Sequence, residues 1–365
     1  MVTSIRFVPY AVFLLALLQQ RMQAEEPIRK LQSAVLKNER LVSVVFSPDG
    51  KAIYVGSGSP FEKGRLLVLD PDTLGVRVKH PSTLISRIAR SPAGDLIATT
   101  DCLGLLSLYS TVSGKLLHEF EQVHRSGTEL TGVRFSPDGK SLVTGGIDNL
   151  LVIWDVETRK HRHTIELSEP GALGCHFVFA INSKSDVVYA RSDDRSIAKI
   201  DLATGKILDQ ARPRTKETDN HYIAGLALSP DDKTLALAFH DEAYSYKRDK
   251  PINKSPVVLV DAKTLKQKLT LGSHPYMGAR YLKFTADGKF LISAGMDDSY
   301  CCIWDIEAGK LAATWRVMKP IPKSKHFFQL YGMDVSPDGR RLVTISQEGM
   351  IDLWDISKVT GAKEK

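Results

Sequence analysis

VRFSPDGKSLVTGGIDNLLVIWD, residues 133–155, holds two alternating apolar runs about a Ser-Pro-Asp-Gly turn and a third run that closes on Trp-Asp. Pro presets the first corner of such a turn, Asp hydrogen-bonds its own backbone, and Gly accepts the left-handed conformation that ends it. The stretch therefore reads as a hairpin followed by a third strand. Whether it decorates a larger fold or is the fold depends on how often it occurs.

It recurs along the whole chain. The turn returns as SPDG at 47–50, SPAG at 91–94, SPDG at 136–139, SPDD at 229–232, TADG at 285–288 and SPDG at 336–339, with a degenerate copy, INSKSDVVYA, that places Asn182 in the same slot. Successive anchors are 44, 45, 46, 47, 56 and 51 residues apart. The runs LLVLD, LVIWD, IAKID, VVLVD, CCIWD and IDLWD close in register at Asp70, Asp155, Asp201, Asp261, Asp305 and Asp355, with Ser110 in the equivalent place of the second unit. Anchor to run end is 19 residues in four units, 20 in the sixth, 23 in the first and 32 in the fifth, so loops have grown while strand order is kept. Each unit reads strand, turn, strand, turn, strand, turn and a fourth strand such as GKLLHEF (114–120). A single four-stranded sheet of this size cannot bury both faces, and radial stacking of seven solves that while protecting the edges.

The unit resembles the WD40 repeat of β-propellers. LVIWD, CCIWD and IDLWD carry the Trp-Asp ending, and the turn Asp six residues before the Trp position is matched by Asp148, Asp194 and Asp298. The resemblance covers about residues 28–357, although the Gly-His start is absent, four units lack the Trp and Glu348 replaces the last turn Asp. It implies an all-β, seven-bladed propeller of four-stranded antiparallel blades. It also implies a structural hydrogen-bond network, complete only in unit three (His124, Thr144, Asp148, Trp154) and unit six (His274, Ser293, Asp298, Trp304). After Asp355 only ISKVTGAKEK remains, too short and polar for a good fourth strand, whereas IRKLQSAVL (28–36) resembles the other fourth strands. The N-terminal segment is expected to close the ring on the last blade.

Three segments are expected. Residues 1–24 combine Arg6, the 12-residue apolar run FVPYAVFLLALL and a polar stretch ending at Ala24, the pattern of a secretory signal and too short to span a bilayer, with an uncleaved membrane anchor as the alternative. Residues 25–357 form the propeller and 358–365 a short polar tail. Removing Arg6 and Arg21 with the signal lowers the formal charge from +7 to +5, a mild excess that suits acidic partners and argues against a dedicated nucleic-acid binder. Cys102, Cys175, Cys301 and Cys302 make no CxxC pattern, and neighbours in a strand face opposite ways, so free thiols are expected.

Catalytic signals are weak. No GxSxG, HExxH, P-loop or dinucleotide fingerprint occurs, and neither a cofactor nor a metal site is expected. HRH at 161–163 would put two imidazoles on one side of an outer strand, but without a nearby cysteine or carboxylate cluster it reads as surface. Loops carry more. In a propeller of the resembled kind, the connections between blades and those between second and third strands open on one face. That face would collect ARPRTKETDNHY (211–222), the insertion 240–256, LGSHPYMGAR (271–280) and MKPIPKSKHFF (318–328). Arg212, Arg214, Lys216, Lys319, Lys323 and Lys325 would form a basic rim, with Tyr244, Tyr246, Tyr276, Phe327 and Phe328 as aromatic anchors. The expected function is a non-catalytic, exported scaffold, a monomeric ring that binds a protein or peptide, an acidic one included. A hydrolase or lactonase-like enzyme with a site at the central channel is the alternative, and it would need convergent acidic, His or Arg side chains at the channel mouth.

Overall fold

The computed structural model describes residues 27–59, 62–82, 85–168, 178–193, 195–213, 221–241, 255–274, 278–295, 299–317 and 329–362. Their strands form seven four-stranded antiparallel sheets, six of them from consecutive strands. Blade 1 comprises Leu41–Phe46, Ile53–Ser59, Glu62–Leu69 and Val76–Pro81. Blades 2 to 6 repeat that order, beginning at Arg87, Leu130, Phe179, His221 and Tyr281. Blade 7 takes three strands from the end of the chain, Leu330–Val335, Arg341–Ser346 and Met350–Asp355, and its fourth from Arg29–Val35 at the beginning. The expected closure is therefore present, with Val35 opposite Met350 and Arg29 opposite Asp355.

Why LVIWD is apolar at every position follows from the stacking. A middle strand buries both faces, and alternate residues serve different neighbours. Leu151 and Ile153 pack in the layer shared with blade 4, while Val152 and Trp154 pack in the layer shared with blade 2. Cys301 and Cys302 obey the same rule, one in the layer between blades 6 and 7 and the other in the layer between blades 5 and 6. Seven such layers are filled around the ring, including the layer between blades 7 and 1, where Leu41, Phe46 and Leu67 meet Val343, Ile351 and Leu353. Fourth strands lie on the outside and are mostly exposed, as in Leu116–Glu119 and Ile207–Ala211.

The Ser-Pro-Asp-Gly turn also joins blades. Its fourth residue has positive φ in all seven copies: Gly50, Gly94, Gly139, Ser185, Asp232, Gly288 and Gly339. A Cβ on Gly94 would come 2.9 Å from Pro48 Cδ of the preceding blade, and one on Gly288 3.4 Å from Pro230 Cδ. Where glycine is missing, a polar contact to the preceding blade replaces the packing. Ser185 Oγ accepts from Asp138 N–H at 3.0 Å, and the Asp232 carboxylate accepts from Ser183 N–H at 2.9 Å. A short helix, α1 (Ser357–Thr360), follows blade 7, and Thr360 Oγ1 donates to Gly339 O at 3.3 Å.

Candidate functional site

Unit three contains a buried chain of four side chains. Trp154 Nε1–H donates to Thr144 Oγ1 at 2.9 Å, the Thr144 hydroxyl meets His124 Nε2 at 2.8 Å, and His124 Nδ1 lies 3.0 Å from Asp148 Oδ2. With Nδ1–H donating to the carboxylate, Nε2 is left to accept the hydroxyl proton, so every polar atom has one role. Burial alone would raise the Asp148 carboxyl, but His124 and the N–H groups of Arg125 and Leu150 hold it below the ordinary aspartate value. The set ties the connection before blade 3 to that blade's second and third strands, and its side chains face no solvent. In unit six, Trp304 Nε1–H donates to Ser293 Oγ at 2.8 Å and His274 is fully buried, while Asp298 falls outside the described residues. Unit seven keeps a fragment, Trp354 Nε1–H to Thr344 Oγ1 at 3.1 Å, without the turn Asp.

The histidine pair at 161–163 differs from the sequence expectation. A bulge in Lys160–Glu166 sets His161 opposite Trp154 and His163 opposite Ile153, neighbours that face opposite sides of the blade. The imidazoles are therefore separated by the sheet. His161 packs edge-on against Trp154 with centroids 5.8 Å apart, and His163 Nε2 donates to Ala203 O of blade 4 at 2.8 Å. Among the described residues no group of three or more His, Cys, Asp or Glu side chains is placed to hold a metal. Cys102 is a free thiol, Cys301 and Cys302 are buried, and Cys175 lies outside the described residues.

Of the expected binding face, Arg212 is half-buried just after the outer strand of blade 4. Arg214, Lys216, Tyr244, Tyr246, Tyr276, Lys319, Lys323, Lys325, Phe327 and Phe328 lie outside the described residues. Their anchoring strand ends are described. Antiparallel order brings the starts of first and third strands and the ends of second and fourth strands to one rim of the ring. Segments 214–220, 242–254, 275–277 and 318–328 all depart from that rim, between Ala211 and His221, Asp241 and Ser255, His274 and Tyr281, and Arg316 and Leu330. Those attachments belong to the consecutive blades 4, 5, 6 and 7.

The channel holds charged residues that the sequence reading passed over. Period-two alternation turns the residue two places before each turn anchor toward the next blade, at the inner edge of the ring where it borders the channel. That layer consists of Val45, Ala89, Arg134, Ala180, Ala227, Lys283 and Asp334, all lining one cavity of about 410 Å³. Asp334 is buried, accepting from Lys283 Nζ of blade 6 and, at 2.8 Å, from the Phe46 N–H of blade 1. Arg134 Nε–H donates to Phe179 O of blade 4 at 3.0 Å. Desolvation within the ring lowers the Arg134 guanidinium below the ordinary arginine value, and the Asp334 charge acts against that shift. The signal available in the sequence was positional, namely three charged residues in a repeat slot otherwise filled by Val and Ala.

Seven four-stranded blades, Trp-Asp endings and the His-Thr-Asp-Trp chain define a WD40-repeat β-propeller. Comparison with known proteins agrees, since the WD domain, G-beta repeat, matches at residues 114–155 and 265–305. The chain is 21% identical over 286 residues to Telomerase Cajal body protein 1 of Mesocricetus auratus, covering 65% of this chain and 52% of that protein. It is 25% identical over 244 residues to Protein ROOT INITIATION DEFECTIVE 3 of Arabidopsis thaliana, covering 62% and 49%. It is also 25% identical over 328 residues to Apoptotic protease-activating factor 1 of Rattus norvegicus, covering 88% and 22%. The chain spans about half the length of the first curated relatives it matches. Among the described residues no helix is long and apolar enough to cross a membrane.

Proposed function

We propose that the chain is a non-catalytic protein-interaction scaffold, exported after removal of residues 1–24, that binds an acidic protein or peptide as a monomeric ring. The rim of blades 4 to 7 is its binding face. One observation carries this reading: the four segments holding Arg214, Lys216, Lys319, Lys323, Lys325 and the aromatic residues attach to a single rim of adjacent blades. Rigid blades fix the ends of those segments, which lowers the ordering cost of binding. Cationic donors and aromatic side chains are the groups that concentrate interface energy. WD-repeat relatives in unrelated organisms support a scaffold rather than an enzyme. The test is affinity capture with the triple variant Arg212→Glu, Arg214→Glu and Lys325→Glu. A partner that binds the unaltered chain should be lost, with the loss steepest at low salt. Undiminished capture by a folded triple variant rules out this face.

A further inference from the structure

We propose that the mid-channel layer is a binding site for a small oxyanion, a phosphate or carboxylate group held by the Arg134 guanidinium. The layer carries three charges that do not balance. Asp334 accepts from Lys283 and from the Phe46 N–H, and among the described residues no carboxylate is in contact with Arg134. Its one hydrogen bond among the described residues uses Nε–H, so both Nη groups are available as donors. Arg134 is exposed, but to the lumen rather than to the outer surface.

The surroundings suit an anion rather than a side chain. Ala89 of blade 2, Ala180 of blade 4 and Ala227 of blade 5 occupy the same layer and border the cavity while packing against the next blade, so no long side chain from those three positions fills the lumen. A cavity of about 410 Å³ has room for a phosphate or a small carboxylate together with several waters. The planar fork of an arginine offers two parallel N–H donors that match two oxygens of one oxyanion, a geometry that lysine lacks. The low-dielectric walls of the channel focus the field of the guanidinium on the space beside it. The bond from Nε to the blade 4 backbone holds the guanidinium in place, so binding would cost it little side-chain entropy.

The experiment is calorimetric titration of the full chain at low ionic strength with inorganic phosphate, and separately with acetate. The proposal expects saturable binding of at least one of the two, the responding probe showing whether the site takes a tetrahedral or a planar group. Arg134→Met should weaken that binding at least about tenfold, the loss expected for a charge-assisted hydrogen bond. Arg134→Lys, which keeps the charge but loses the two parallel donors, should weaken it as well and serves if Arg134→Met does not fold. Lys160→Met, on the outer strand of blade 3, should leave it unchanged. Absence of saturable binding of both probes, or binding that survives either channel substitution, overturns the proposal.

Discussion

At the scale of single residues, the molecule relies on a few buried polar groups that each serve two partners. Thr144 is the clearest, since its hydroxyl accepts from Trp154 and donates to His124. Thr144→Val keeps the shape and removes both bonds, orphaning a buried indole N–H and a buried imidazole nitrogen. The expected cost is about 1–3 kcal/mol for each orphaned group, whereas Thr144→Ser should recover most of it, as read by denaturant unfolding. These four residues were legible because their spacing belongs to a repeat seen seven times. Arg134, Lys283 and Asp334 were not, because their meaning depends on ring closure. Phe46 and Asp334 are 288 positions apart in sequence and meet only when blade 7 lies against blade 1. The histidines at 161 and 163 were misread for a local reason, since strand parity assumes no bulge and one extra residue inverts it.

Among the elements, the closing strand is the one on which ring closure depends. Arg29–Val35 is largely exposed, so apolar burial contributes little to its docking beyond the backbone ladder. Asp352 supplies the specificity. It occupies a slot filled by Val152 in blade 3 and Cys302 in blade 6, is nearly fully buried, and accepts from Lys30 Nζ at 2.9 Å and Ser33 Oγ at 2.5 Å. A carboxylate in an apolar layer is costly unless partnered, which disfavours any register that separates it from Lys30 and Ser33. Asp352→Ala and Lys30→Ala should therefore be non-additive in a double-mutant cycle, with a coupling of about 1 kcal/mol. Deleting residues 25–36 should broaden the unfolding transition until it is no longer cooperative. A normal melt after that deletion would show that the strand is dispensable. Closure was legible in the sequence because the last unit lacks a fourth strand and the first residues resemble one. The bond from Lys30 to Asp352 was not, because no repeat position pairs with a partner from the other end of the chain.

For the whole molecule, the repeated turns set a shared pH dependence. Asp49, Asp138, Asp231 and Asp338 in the first turns, and Asp155, Asp201, Asp261 and Asp355 in the third, all have carboxyls held below the ordinary aspartate value by hydrogen bonds from turn hydroxyls and backbone N–H groups, even where burial opposes it. A folded-state value below the unfolded one contributes stability that is present above about pH 4 and is lost as pH falls through the folded values. Asp101 runs the other way, since its burial raises the carboxyl against the N–H groups of Leu103 and Leu105. The turn set outnumbers it, so the melting temperature should be level between about pH 5 and 7 and should fall steeply below about pH 4. A melting temperature that rises on acidification would contradict this assignment.

The loops on the rim of blades 4 to 7 are the part of the molecule that the repeat does not explain. The fifth unit spends 32 residues from turn anchor to run end where four units spend 19. The most direct measurement is chemical crosslinking and capture from the native source, comparing the full chain with one whose residues 244–254 are replaced by Gly and Ser. A scaffold that works through this rim predicts a crosslinked partner with the full chain and its loss from the replaced one, at equal melting temperature. Recovery of the same partner at the same yield by both chains would contradict it.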